Sequence, residues 1–599
     1  MRNKSLVGWN FTSKMEGLAV FANLIDEMTF NYTYDSYKAP ALNIISLLDE
    51  AHETVLDIEN GMIKEEGMRS VLEELSKSFK DDEVMAALLQ DMGMTYLCFN
   101  AWTNFTNREI LNCIVLLKQQ KIGERYFIKL KETLSELIKT KGNREKKKIE
   151  NLTRIFVTHL KYLGYSEEYI YAVNLNFFFS SGTRIDDENA VDLYFSLYDG
   201  IVKKYKVVNI GNPLFKSLKN AFSKDHDVVD DTLHFSFSNP VINRFSIRRK
   251  NSQVFIITEV KANDPYMARQ LSLQRIHRHS RTFRFYHHKD ELSVQNECLV
   301  IEEASHTVIP IKKPIGNIVH CEDMKPFPAS VMTSKTYNRL SYAPESIQRI
   351  DSSKQLHENA LVTDNLENQF VNLFTALEVL IPKDINSKNA RIAQIYETIV
   401  PYLCVNYYRK LIGAIDSSLK LWNKVFYKTI LSKVTEGTDD IEKLAALMVL
   451  KKYDGDDEHV KKELNLLYEQ LTADKFYLMR HRMFDMYTIL SKPESILSFL
   501  ERHEERIKWH VDRIYRTRNM IVHGGRSPHY IATMVENLHS YYDSLVNQLI
   551  EDNLNMHYNK IELSYTATSI RYKSYKNMLQ SARGETIDES NLLAMVFNK

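Results

Sequence analysis

Turn formers and helix breakers are scarce in this chain: 18 glycines and 13 prolines stand among 599 residues, about 5% where average usage gives roughly 12%. A backbone with so little left-handed freedom and so few fixed φ angles favours long helices over short strands joined by tight turns. An all-β sandwich, a collagen-like repeat and a Pro/Gly-rich disordered chain are excluded on that ground. The length gives about four domains' worth of chain, or fewer large ones. Hydrophobic residues make up 44% of it, enough for more than one core.

Lys and Arg number 78 against 77 Asp and Glu, a formal net charge of +1, so any nucleic-acid contact has to come from a local patch. The five cysteines, Cys98, Cys113, Cys298, Cys321 and Cys404, are odd in number and lack zinc-ribbon spacing. That argues for a reducing, cytoplasmic setting. The N-terminal apolar stretch is broken by Asn, Thr, Ser, Lys and Glu, and no window approaches 18 uncharged apolar residues; neither export nor a membrane span is expected.

Apolar residues at three- and four-residue spacing run through ALNIISLLDEAHETVLDI and MRSVLEELSKSF, so residues 1–205 read as a helical N-terminal region. After Tyr205 the pattern changes to β-branched and aromatic segments: KYKVVNI, TLHFSFS, QVFIITEVKA, CLVIEE and HTVIPI. Asp264-Pro265 supplies an N-cap and a first-turn proline that open a helix between them. Residues 206–330 therefore read as a small α+β domain and 331–360 as a polar connector. A helical bundle is expected over 361–560 and a polar tail over 561–599. The fold class is mainly α.

Phosphate-loop, dinucleotide, zinc-protease and nucleophile-elbow motifs are all missing from the sequence. The acids Asp225, Asp227, Asp230 and Asp231 fall in an apparent turn, and His277, His279, His287 and His288 have no Cys or acid at ligand spacing; no metal or cofactor is expected. The helix after Pro265 carries Arg269, Arg275, Arg278, Arg281 and Arg284, with Phe283, Phe285 and Tyr286 interleaved and no acid over 265–289. Cations beside aromatic faces suit single-stranded RNA, since charge holds phosphate and bases stack. A solvated helix face with its aromatics packed on the neighbouring sheet is the competing reading.

The decisive segment is RIKWHVDRIYRTRNMIVHGGRSP, residues 506–528. Its apolar stripe runs Ile507, Val511, Ile514, then Arg518, then Ile521, so an arginine stands where the pattern asks for an aliphatic side chain. A guanidinium there needs a partner or a polar seam. Asn519 and His523, four residues apart, share one face beside it. Gly524-Gly525 allows a helix stop and the close approach of another chain or a phosphate. Arg518 and His523 lie about 140° apart around an ideal helix, so they converge only if the helix distorts or a second subunit contributes.

Arg518-Asn519-Met-Ile-Val-His523 resembles the Arg-polar-x3-His motif of HEPN domains, and IYRTRNMIVHGG looks like the ApeA-like HEPN group of prokaryotic defence proteins. FVNLFTALEVLIP (370–382) is similar to that group's first helix and LHSYYDSLVNQLI (538–550) to its closing helix, so the resemblance covers roughly 361–555. It implies a metal-independent endoribonuclease acting as a homodimer or higher even oligomer, an anti-phage or abortive-infection effector that responds to a phage-derived trigger. Cleavage of RNA by its own 2'-hydroxyl needs a base, an acid and a cation; an isologous dimer supplies two of His523 and two of Arg518 in one cleft. Histidine's reference pKa of about 6.5 suits proton transfer, and arginine clamps phosphoryl oxygens. Asn519 would orient the histidine or bind phosphate. Glu378 is the expected partner of Arg518, or else an exposed helix residue. In HEPN toxins silenced by a nucleotidyltransferase antitoxin a Tyr stands two residues after the motif His; Gly525 stands there instead, which favours control by an N-terminal sensor. The alternative function is a non-catalytic HEPN module for RNA binding or assembly in a defence complex.

Overall fold

The computed structural model describes residues 4, 6–99, 101–142, 144–225, 227–235, 239–312, 323–382, 391–450, 452–454, 457–459 and 462–599; Cys321 lies outside them. The protein is mainly α, with one five-stranded antiparallel sheet. It divides into two compact units, one of Met1–Thr158, Ser181–Val191 and Asn317–Lys599, the other of His159–Ser180 and Asp192–Gly316. Among the described residues no helix is long and apolar enough to cross a membrane.

In the larger unit, α1 (Glu16–Met28) is buried along almost its whole length, as an all-round apolar helix must be. Helix α2 (Ile44–Glu59) starts at Asn43, whose side chain accepts from the Ser46 amide, and α3 (Arg69–Asp81) buries Val71, Leu72, Leu75 and Phe79.

The smaller unit holds strands β1 (Lys203–Gly211), β2 (Val228–Asp230) and β3 (Val254–Ala262), helix α4 (Pro265–Tyr286), and strands β4 (Glu297–Glu302) and β5 (Val308–Lys312). The order across the sheet is β2-β3-β1-β4-β5. Asp264 caps α4 by accepting from the Tyr266 and Met267 amides, and the same carboxylate accepts from the amide and hydroxyl of Ser166. Ala268, Ser272 and Ile276 turn α4 toward the sheet, where the Ser272 hydroxyl accepts from Asn209 and Thr258. The expected strand over TLHFSFS is not formed at Thr232–Phe235; β2 pairs with β3 a few residues earlier, while Leu233 and Phe235 pack on the sheet as loop residues.

The larger unit resumes with α5 (Pro326–Arg339), α6 (Pro344–Val362), α7 (Leu366–Leu380), α8 (Tyr477–Leu490), α9 (Pro493–Gly524), α10 (Ile531–Met556) and α11 (Ile561–Ser581). One continuous core runs from Tyr342 to Phe597. Three expectations are corrected by it. Residues 331–360 are helical rather than a connector: the polar side chains of α6 serve the end of α7, with Arg349 donating to the carbonyls of Val379 and Leu380 and Ser353 to that of Ala376. Residues 561–599 are no loose tail. Tyr565, Tyr572, Tyr575 and Leu579 are buried, and the hydroxyls of Tyr565 and Tyr575 donate to the carbonyls of Leu380 and Met595; a tyrosine-rich helix reads as polar yet buries its rings once each hydroxyl has an acceptor. Finally, residues 1–205 are not a separate domain. Their first 158 residues share a unit with the C-terminal bundle, joined by ion pairs such as buried Glu27 of α1 with buried Arg482 of α8, whose guanidinium also lies 3.6 Å from the Tyr37 ring centroid.

Candidate functional site

Helix α9 runs 32 residues without a break and carries the motif in its last two turns. Ile507, Val511 and Ile514 are buried as the stripe predicts. The helix stops where the glycines stand: Gly525 has φ +59°, its amide donates to the Ile521 carbonyl and the Arg526 amide reaches back to Met520. The side chains that follow fix this end of the helix. Arg526 pairs with Asp57 of α2 at 2.6 Å and Ser527 donates to Glu367 of α7 at 2.8 Å. A Cβ placed on Gly525 would meet nothing within 4 Å, so the surface beside the stop is open.

Arg518 is half-buried and its Nη1 donates to the Asn519 side-chain oxygen at 3.1 Å. His523 is exposed, in the last turn of α9. Because α9 is unbroken through this stretch, the angular separation of Arg518 and His523 is not reduced by a kink. Within one chain Asn519 bonds Arg518 and stands one turn before His523. Glu378 does not partner Arg518. Its carboxylate accepts from Arg391 at 3.3 Å, while the same guanidinium donates to the carbonyls of Glu378, Ile381 and Pro382; the pair closes the C-terminal end of α7, a role invisible to a reading that considered only charge and spacing around the motif.

The most buried cations on α9 are two that the sequence reading passed over. Arg513 and Arg516, three residues apart on the face toward α2 and α3, are 2% and 6% exposed. Arg513 Nε donates to both Glu50 oxygens at 3.1 Å and Nη2 to one at 3.0 Å, and it also pairs with Glu74. Arg516 donates to Glu50 at 2.9 Å and to the Ser70 hydroxyl at 2.8 Å. Burial alone would raise the Glu50 carboxyl, but the two guanidinium groups outweigh it and hold it down at about 2. For Glu74, which shares only Arg513 closely, burial prevails and the carboxyl is raised. A signal existed in the sequence: Glu50 interrupts the apolar stripe of α2, and a carboxylate in such a place requires a cation. One turn before Arg513, His510 accepts from or donates to the Tyr541 hydroxyl at 3.0 Å. Burial, reinforced by Arg513, pushes His510 down to about 3, so it stays neutral and structural.

The basic helix α4 is altered by its surroundings. Arg269 is buried and is corrected as an RNA contact. Arg275 pairs with Asp227 at 2.7 Å, Arg278 with Asp225 at 2.7 Å, and His279 lies 3.0 Å from the same Asp225; the acids lacking within 265–289 come from the loop before β2. Arg284 lies 3.5 Å from Glu291. Arg281 is exposed, as are Phe285 and Tyr286, while Phe283 packs on the cluster around Phe215 and Phe222. The stretch thus divides into an inward, neutralised half and an exposed C-terminal end. No family model, curated protein or solved structure matches this chain.

Proposed function

We propose that this protein is a metal-independent endoribonuclease of the HEPN type, acting in the cytoplasm as an anti-phage or abortive-infection effector, with its chemistry at Arg518 and His523. The observation that carries the reading is the end of α9: an exposed histidine and a half-buried arginine, one turn and a step apart, beside an open glycine stop that is followed by an ion pair from Arg526 to Asp57 and a hydrogen bond from Ser527 to Glu367. Rigid presentation of an imidazole at an open surface is what general acid–base work requires.

The unbroken geometry of α9 favours catalysis between two copies. With two motifs facing, one His523 takes the proton of the 2'-hydroxyl as that oxygen attacks phosphorus, and the other delivers a proton to the departing 5'-oxygen. The Arg518 guanidinium groups balance the charge on the phosphoryl oxygens, and Asn519 holds each arginine in place. Purified protein is expected to cut single-stranded RNA in EDTA, and Arg518→Ala or His523→Ala to abolish both cutting and host toxicity with unchanged thermal unfolding. Full cutting by His523→Ala would sink the proposal.

A second reading, a non-catalytic module for RNA binding or assembly, is favoured by the bond from Arg518 to Asn519, which engages the guanidinium within the chain. Retained RNA binding by wild type without any cleavage, lost in Arg518→Ala, would select it.

A further inference from the structure

Two histidines and an aspartate meet where α6 crosses α10, away from the motif in sequence and unused by the chemistry above. His357 of α6 and His539 of α10 place their Nε2 atoms 2.8 Å apart. Asp543, one turn after His539, brings one carboxylate oxygen to 3.6 Å of His539 Nε2 and the other to 3.9 Å of His357 Nε2. His539 is 3% exposed and His357 is half-buried. The two imidazoles are parallel within 3°, and His357 is backed by the Tyr542 ring, stacked at 4.7 Å between centroids. The Tyr542 hydroxyl in turn lies 3.2 Å from that of Ser353, one turn before His357 on α6.

We propose that His357, His539 and Asp543 form a binding site for a divalent transition ion of the zinc class. Two imidazole nitrogens and one carboxylate are the donor set such an ion takes, with a fourth position left to water. Donors around a tetrahedral zinc at about 2.0–2.1 Å lie roughly 3.3 Å from one another. The N···N separation of 2.8 Å and the N···O separations of 3.6 and 3.9 Å bracket that value, so the ion is accommodated by opening the histidine pair and closing the carboxylate, each by about half an ångström. Side-chain rotation supplies that movement without shifting either helix.

The protonation chemistry agrees. Without an ion the pair shares one N–H···N hydrogen bond, so one Nε2 carries a proton; binding transfers that proton to the ring's own Nδ1 or to solvent, leaving two lone pairs for the metal. The acid cluster Asp225, Asp227 and His279 also gathers three donor groups, but Arg275 and Arg278 already neutralise its carboxylates, and a second cation there would be repelled. The ion at α6 and α10 would clamp two bundle helices together and takes no part in RNA cleavage.

The full chain, stripped with EDTA and dialysed against zinc sulfate, is the test material, and metal content with thermal unfolding is the readout. One zinc per chain is expected, with an unfolding temperature that rises with the logarithm of free zinc, and visible absorption of a tetrahedral site when cobalt replaces zinc. Asp543→Asn and His357→Gln, both at part-exposed positions, should lose the bound ion and the zinc-dependent rise while unfolding near the zinc-free wild type. A wild type that holds no zinc, or variants that hold as much as wild type, would overturn the site. His523→Ala should bind zinc as wild type does; since no activity is measured, failure here leaves the ribonuclease reading standing, and failure of that reading leaves the metal site standing.

Discussion

Single side chains on α9 divide sharply by what surrounds them. His523 and Arg513 sit ten residues apart on one helix, yet the first is exposed and the second is held by two carboxylates, buried Glu50 and half-buried Glu74. Exposed, unconstrained positions tolerate truncation within about 0.5 kcal/mol, so His523→Ala should leave stability intact, checked by chemical denaturation. Glu50→Gln is the opposite case: it removes the charge shared by two buried guanidinium groups, and an unfolding free energy lower by about 3 to 5 kcal/mol is expected. The pH dependence follows from the same contacts. The folded Glu50 carboxyl lies near 2, below its ordinary 4.5, so its contribution is complete above about 4.5 and is lost as pH falls from there toward 2. Denaturation midpoints of wild type and Glu50→Gln should therefore converge over that interval; a gap that stays constant down to pH 2 would show that Glu50 is not the group responsible. Raised Glu74 has the opposite sign and is still present in the variant, so it does not produce the convergence.

Among the elements, the end of α9 illustrates how a scarce residue is used. Gly525 adopts φ +59° with empty space where a Cβ would stand, so the only penalty for a side chain is conformational. Gly525→Ala should cost about 1 to 2 kcal/mol and Gly525→Asn less, since asparagine tolerates the left-handed region; thermal unfolding distinguishes them. The double glycine and the break it makes were legible in the sequence, as was the Asp264-Pro265 start of α4. The helicity of 331–360 and 561–599 was not, because those helices pair polar groups with neighbours distant in sequence, as Arg349 does with the carbonyls ending α7. Periodicity detects an apolar face and has no means of detecting a hydrogen-bonded one.

For the molecule as a whole, the N-terminal helices supply Glu27, Glu50 and Glu74 to arginines of α8 and α9. A fragment of residues 361–560 would leave Arg482, Arg513 and Arg516 without these partners, open to solvent the surface that the N-terminal helices cover, and lose α11, so it should express insoluble or unfold without cooperativity. Circular dichroism melting of the fragment beside the full chain checks this, and a fragment that melts cooperatively like the full chain would contradict it. The proposed site also requires two copies. Sedimentation equilibrium should give a dimer, and, because each copy contributes a His523, an excess of His523→Ala chain exchanged into wild type should suppress cleavage beyond simple dilution.

Composition and pattern by themselves determined that this chain is mainly helical, where its small sheet begins, and that Arg518, Asn519, His523, Gly524 and Gly525 form one suspicious end of a long helix. Those are local properties, set by residue spacing and by backbone freedom. Tertiary structure alone decided that Glu378 serves Arg391, that Arg269 is buried, that Asp225 and Asp227 neutralise half of the basic helix, and that His357 meets His539 and Asp543. Each of these depends on which charges face one another after packing, and Coulomb and hydrogen-bond partners separated by up to several hundred residues leave no period in the sequence to read.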